Sequence, residues 1–244
     1  YLVNLNDTSI CFGESIKLIT DTTGDGYKWS TGSLVNGITV SPVKDSLFMV
    51  TVYKNGQCNS IDSVMIYVKP LPLIKTSNDT IICSNSMITL EVTGGDSYLW
   101  SSGDTGSLVN VFVNVPTMFY VTGTGINGCS NIDSVFVNTY VLPVANAGND
   151  TVICYDNTII LKGSGGVKYS WSNGDTTQII NVTPLLTTTY SLTVYSVNNC
   201  ISTDEVTVFV NSLPNANAGS DISVCMGDSA TLTATGGVLY SWST

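Results

Sequence analysis

Seven cysteines and a set of recurring aspartates are the residues here with chemistry to offer, and the chain has no histidine to help them. A structural zinc site usually brings histidine or closely spaced cysteine pairs. Here Cys11 and Cys58, Cys83 and Cys129, and Cys154 and Cys200 stand far apart, each pair spanning most of a repeat. That spacing favours thiol oxidation to disulfides over metal binding. The lack of an imidazole removes the usual base of a nucleophilic triad. Asp7, Asp79, Asp150 and Asp221 each lie four residues before a cysteine. An Asx turn or a strand opening explains such a position. An oxygen-ligand calcium site at each domain junction is the sharper alternative, but no calcium-loop spacing accompanies these residues. The sequence therefore assigns no catalytic residue, no metal and no cofactor, and the chain is read as a non-enzyme.

The elements that must position these residues repeat as well. Trp29, Trp100, Trp171 and Trp242 are evenly spaced, and Cys58, Cys129 and Cys200 follow the first three at one fixed interval. Pro72, Pro143 and Pro214 come after those cysteines at a second fixed interval. The period of about 71 residues predicts repeats at 1–71, 72–142 and 143–213 and a partial fourth at 214–244, folding as near-neighbour modules. Within a repeat, apolar residues alternate with period two, as in Tyr190, Leu192 and Val194, between turn signals such as Asn173-Gly174-Asp175 and Asn198-Asn199. No apolar stripe of helical period has useful length. The expected fold is all-β, a tandem array of Ig-like β-sandwich repeats with six or seven strands each.

Composition excludes several classes. A net charge of −10 argues against nucleic acid, whose phosphates require clustered Lys and Arg. Hydrophobic residues make up 43%, enough for packed cores and too many for a disordered chain. No apolar run approaches the ~20 residues of a membrane-spanning helix. With neither a starting Met nor a signal peptide, Tyr1 reads as the edge of an interior fragment.

In an Ig-like sandwich, Trp29, Trp100 and Trp171 fall on the third strand, and Phe48, Phe119 and Tyr190 open the sixth as an aromatic corner. Tyr27, Tyr98, Tyr169 and Tyr240 precede the tryptophans by two and share their face. The aromatic pairs are expected in the core rather than stacking on sugars. Variable stretches, Gly103 to Ser107 and Lys54 to Gln57, are the better candidates for a binding surface. The cysteines fit this topology less well, because the two of one repeat belong at opposite ends of the sandwich. Either the first strand is displaced so that they meet, or the first cysteine of one repeat bonds the second of the next. Pairing inside each repeat is the expectation: Cys11 with Cys58, Cys83 with Cys129 and Cys154 with Cys200, with Cys225 left to a partner outside the sequence. Each repeat then closes its own loop, stabilising it by about 3 to 4 kcal/mol in the chain-entropy model.

The whole chain resembles the tandem Ig-like or PKD-like repeats of large surface proteins of Bacteroidota exported by type IX secretion. The resemblance is carried by Ala145 through Cys154 (ANAGNDTVIC), by Gly165-Gly166 ahead of Tyr169-Ser170-Trp171-Ser172, by Thr187-Thr188-Thr189-Tyr190, and by Cys200 ahead of Asp204. The first repeat departs most, with Thr23-Gly24-Asp25-Gly26 before Trp29 and no Ala-Gly opening. The resemblance implies an adhesin, stalk or filament at the cell surface. It also gives meaning to eight Asp-Ser/Thr triplets, with hydroxyls at Thr22, Ser46, Ser63, Thr80, Ser134, Thr151, Thr176 and Ser229. These are similar to the O-glycosylation motif of the same phylum. The competing explanation is that Asp-Ser and Asp-Thr simply open strands. Thr80 and Thr151 are expected to expose their hydroxyls at a strand start.

The resulting expectation is a segment of a long extracellular surface fibre or adhesin, with disulfide-stabilised repeats as a structural stalk. Disulfides would limit extension under load, and Pro-containing junctions would limit bending. The alternatives are a glycan-binding repeat module or accessory repeats of a secreted enzyme. Expected partners are neighbouring repeats of the same chain, with surface glycans or self-association into a filament beyond them.

Overall fold

The computed structural model describes residues 6–21, 23–54 and 58–243, and every named element in it is a β-strand. The chain forms two compact units, residues 1–139 and 140–244. Unit one holds the first two repeats. In repeat 1 the strands are β1 (Thr8–Cys11), β2 (Ile16–Ile19), β3 (Gly26–Trp29), β4 (Gly37–Val40), β5 (Ser46–Lys54) and β6 (Cys58–Lys69). They form a four-stranded sheet in the order β1-β6-β5-β3 and a two-stranded sheet, β2-β4. The pair β1 and β6 is parallel, while β5 runs antiparallel to both β3 and β6.

Repeat 2 copies this plan with β7 (Lys75–Thr76), β8 (Thr80–Cys83), β9 (Ser86–Thr93), β10 (Ser97–Trp100), β11 (Leu108–Val113), β12 (Thr117–Thr124) and β13 (Ser130–Tyr140). Its sheets are β10-β12-β13-β8 and β11-β9-β7. In unit two, repeat 3 comprises β14 (Thr151–Cys154), β15 (Ile159–Lys162), β16 (Lys168–Trp171), β17 (Ile179–Val182), β18 (Thr188–Tyr195) and β19 (Ile201–Asn211). Its sheets are β14-β19-β18-β16 and β15-β17. Two facing sheets make each of these three repeats an Ig-like sandwich, and in repeats 1 and 3 the first strand runs parallel to the last.

Period-two alternation builds the cores. In β11 the sequence LVNVFV buries Val109, Val111 and Val113 and exposes the residues between them. Three separate clusters result, each centred on a tryptophan: Trp29 with Val50, Val64 and Ile66; Trp100 with Leu90, Val121 and Val135; Trp171 with Leu192, Val206 and Val208. Each indole N–H donates to the backbone carbonyl six residues on, at Val35, Gly106 and Thr177 (2.9, 3.1 and 3.0 Å). Burial of the ring thus leaves no donor unsatisfied. Trp29, Trp100 and Trp171 are core and offer no face to a sugar, whereas Tyr240 and Trp242 of the partial fourth repeat depart from the expected burial. Residues 214–243 carry no named strand, and Trp242 there is 46% exposed.

The Gly-Gly pair has a geometric cause. Gly94 and Gly165 sit at φ +94° and +99°, and a Cβ there would lie 1.8 Å from the Leu73 carbonyl oxygen or 1.7 Å from that of Val144. The chain leaving Pro72 or Pro143 therefore crosses directly against a position that only glycine can fill. The neighbouring tyrosine locks this crossing. Tyr98 Oη donates to Gly95 O (2.7 Å) and accepts from Gly95 N–H (2.9 Å), and Tyr169 Oη donates to Gly166 O (2.8 Å).

Candidate functional site

The chemistry of the cysteines sits at the junction of repeats 1 and 2. Cys11 ends β1, opposite Lys69 at the end of β6. Cys58 opens that same strand, whose length is 12 residues. At ~3.3 Å per residue the two cysteines are separated by about 36 Å, whereas a disulfide needs Cα atoms within about 7 Å. The expected Cys11–Cys58 pair is therefore replaced: Cys11 bonds Cys129, with a Cα–Cα distance of 5.6 Å and a sequence separation of 118. The same reason removes Cys154–Cys200. Cys154 lies opposite Asn211 at the far end of β19, whereas Cys200 immediately precedes that strand. Cys58, Cys154 and Cys225 are free and exposed, while Cys83 and Cys200 are disulfide-bonded. With Cys129 taken by Cys11, the expected Cys83–Cys129 pair is excluded too.

Hydrogen bonds close around this disulfide. The turn between β12 and β13 presents Asn127, whose Nδ2 donates to Pro70 O (2.8 Å) while its own backbone carbonyl accepts from Lys69 Nζ (3.3 Å). Its Oδ1 accepts the N–H of Cys129 (3.0 Å), which holds the cysteine in place. Gly128 at φ +80° completes the turn. One residue into β13, Asn131 Nδ2 donates to Pro72 O (3.1 Å). Repeat 2 thus holds the linker at Pro70 and Pro72, and is itself fastened covalently to repeat 1 through Cys11–Cys129. An Asn-Gly dipeptide such as Asn127-Gly128 marks a turn, but nothing in the sequence marks its amide as the partner of a linker carbonyl.

The recurring aspartates hold strands. Asp7, Asp79 and Asp150 each accept a backbone N–H of the last strand, from Met65, Phe136 and Thr207, all at 2.8 Å. A second set holds the strand opening: Asp133 accepts from Thr76 N–H (2.9 Å) and Thr76 Oγ1 (3.1 Å), and Asp204 from Ala147 N–H (2.8 Å). The backbone N–H groups of Thr76 and Ser134 hold the Asp133 carboxyl below its usual pKa. Burial raises the pKa of Tyr190, which packs in the core of repeat 3 from the fifth strand of that repeat, β18, rather than opening a sixth. Among the described residues no group of three or more His, Cys, Asp or Glu side chains could hold a metal ion. No helix among them is long and apolar enough to cross a membrane.

The aspartates of six Asp-Ser/Thr triplets accept hydrogen bonds: beside Asp79, Asp133 and Asp150, Asp45 accepts the N–H of Val68 (2.8 Å), Asp62 that of Ser63 (2.8 Å) and Asp175 the Nδ2 of Asn173 (2.6 Å). Ser46, Ser63, Thr80, Ser134 and Thr151 are half-buried, so Thr80 and Thr151 are less open than expected; Thr176 and Ser229 are exposed. Thr22 lies outside the described residues, as do residues 55–57 of the proposed Lys54 to Gln57 surface.

No protein-family model matches the sequence, and no curated protein matches it. Solved structures do. A titin I-band fragment, I67–I69, aligns over 86% of this chain and 97% of its own at 12% identity and TM-score 0.34. Extracellular domains 3–5 of Drosophila OTK align over 86% and 95% at 9% identity and TM-score 0.31. The Bacteroides ovatus SGBP-B of a mixed-linkage glucan utilization locus, in complex with a mixed-linkage heptasaccharide, aligns over 90% and 70% at 13% identity and TM-score 0.22. At such scores the likeness carries no argument about function. The sheet order and strand directions make the chain a tandem array of Ig-like sandwiches.

Proposed function

We propose that this chain is a non-enzymatic spacer within an extracellular surface fibre or adhesin of the type IX-secreted Bacteroidota kind, organised as modules at 1–71, 72–142, 143–213 and 214–244. The observation that carries this reading is the junction of repeats 1 and 2, where Cys11–Cys129 and the Asn127 contacts join one module to the next. A protein that only needs a binding face has no use for a covalent tie between modules, whereas a spacer keeps its reach by one. Disulfides persist outside the cytosol, and small sandwiches gain much from them. Ser/Thr-rich surfaces and the Asp-Ser/Thr triplets suit attached glycans, with exposed Thr176 and Ser229 the first acceptors and Ser46, Ser63, Thr80, Ser134, Thr151 and Thr22 after them.

Immunogold labelling of native cells with an antibody to this segment tests the reading. Label on filaments projecting from the cell surface is expected, and label confined to the cytosol would overturn it. A panel of surface glycans presented to the isolated segment separates the two binding classes. Saturable binding to one glycan would replace the spacer by a glycan-recognition module.

A further inference from the structure

The free Cys154 occupies the same backbone setting as the bonded Cys11. Cys154 lies opposite Asn211 as Cys11 lies opposite Lys69, each pairing a first strand with the end of the last. The turn that follows is also the same: Phe12 N–H donates to Lys69 O and Glu14 N–H to Cys11 O, while Tyr155 N–H donates to Asn211 O and Asn157 N–H to Cys154 O. On the other side, Cys129 and Cys200 share one turn, with Gly125 N–H donating to Cys129 O and Ser196 N–H to Cys200 O. Both of those cysteines are bonded and almost fully buried, at 0% and 1% exposure. Cys58 stands to Trp29 in sequence as Cys129 stands to Trp100, yet it is exposed and free.

From this equivalence we infer that Cys154 and Cys58 are open half-bonds of a ladder whose rungs are built like Cys11–Cys129, the first cysteine of one repeat bonded to the second cysteine of a following one. The partner of Cys154 is the second cysteine of a following Ig-like repeat of the same array, and that of Cys58 is the first cysteine of a preceding one. The inference rests on the reading of the chain as part of an array. The occupant follows from the Cys11–Cys129 junction, because a repeat seated on repeat 3 as repeat 2 sits on repeat 1 brings its second cysteine to Cys154. In each bond two thiols lose two protons and two electrons to a disulfide oxidant, which is itself reduced to two thiols, and one S–S bond forms. An exposed thiol at each end of a repeat run is then the mark of an unfilled position.

Non-reducing peptide mapping of the native full-length protein, with free thiols first blocked by iodoacetamide under denaturing conditions, tests the ladder. Cys154 should be recovered joined to a cysteine that is placed, in a later repeat, relative to that repeat's tryptophan as Cys129 is to Trp100. Cys58 should be joined to one that is placed, in an earlier repeat, as Cys11 is to Trp29. In a Cys154→Ser protein one additional thiol should label, at the partner cysteine, while Cys11–Cys129 stays intact. Recovery of Cys58 and Cys154 as blocked free thiols in a protein that has such neighbouring repeats would overturn the ladder and leave the array reading standing. A full-length protein with no further repeat of this pattern would overturn the array reading itself.

Discussion

Repeats 2 and 3 share one backbone plan and solve it with different side chains. In repeat 2 Ile74 enters the core, and Gly123 leaves it room, since a Cβ on Gly123 would lie 2.2 Å from Ile74 Cδ1. At the corresponding places repeat 3 has Ala145 and Val194, so bulk has moved from one strand to the other. The outer faces of the four-stranded sheets differ more. Repeat 2 shows Leu99, Met118, Tyr120 and Ile132 to solvent. Repeat 3 shows a polar ladder in which Thr189 and Thr207 hydrogen-bond at 2.9 Å and Ser191 donates to Glu205 at 2.7 Å. What both keep is whatever the backbone itself requires: the positive-φ glycine, the tyrosine over it, the tryptophan, and the strand-holding aspartates. Everything else has drifted within the limits of volume and alternation.

The largest expected effect belongs to the shared part. Gly94→Ala and Gly165→Ala should each destabilise their own repeat by on the order of 3 kcal/mol or more, because each combines a left-handed φ with a collision against backbone. Urea unfolding followed by fluorescence of the buried tryptophans measures it; an effect in one repeat alone would mean that the crossing is not common to both. Next comes the exchanged corner. Gly123→Val should cost about 1–3 kcal/mol by overpacking. Ile74→Ala made with it installs the arrangement of repeat 3 and should restore much of that loss. A double-mutant cycle that comes out additive would break the claim of compensation.

A smaller effect is tied to pH. The folded-state pKa of Asp133 is lowered, so its contribution is fully present above the ordinary carboxylate range and is lost as pH falls through the lowered value. Repeat 2 should lose stability on acidification in that window, and Asp133→Asn should flatten this part of the profile. An unchanged profile would show that Thr76 is held by other means. Least of all, Met118→Thr and Tyr120→Ser, which copy repeat 3 onto the outer face of repeat 2, should shift stability by no more than about 0.5 kcal/mol. Binding of an apolar dye to that face should fall; a large loss of stability would mean that the face is covered in solution.

Much of this was legible because period and alternation act locally. Trp100 and Tyr98 share a face whatever the rest of the chain does, and their burial could be read from that alone. The aspartates before Cys11, Cys83 and Cys154 could be read as strand openings, although their acceptor role depends on Met65, Phe136 and Thr207, which come much later in the chain. Cysteine pairing was not legible in the same way. Topology already placed Cys11 and Cys58 at opposite ends of a sandwich, but the true partner belongs to the neighbouring module and depends on how that module is seated. At the linker that seating is held by the Asn127 amide reaching Pro70, with Lys69 and Asn131 beside it; an asparagine recurs at Asn198, but the recurrence marks a turn and not the carbonyl it meets.

The parallel pairing of first and last strands, β1 with β6 and β14 with β19, decides how a repeat responds to tension. Pulling on the two ends of such a module draws the neighbouring strands in opposite directions along their length. The ladder bonds lie across that direction and are loaded in shear, all at once, instead of being peeled one after another. The carboxylates of Asp7 and Asp150 add a rung beside each ladder, close to where the chain enters its module. With Cys11–Cys129 reduced, rupture of repeat 1 is therefore expected as a single abrupt event with little creep before it, whereas the intact bond passes tension from β1 directly to repeat 2 and spares the ladder.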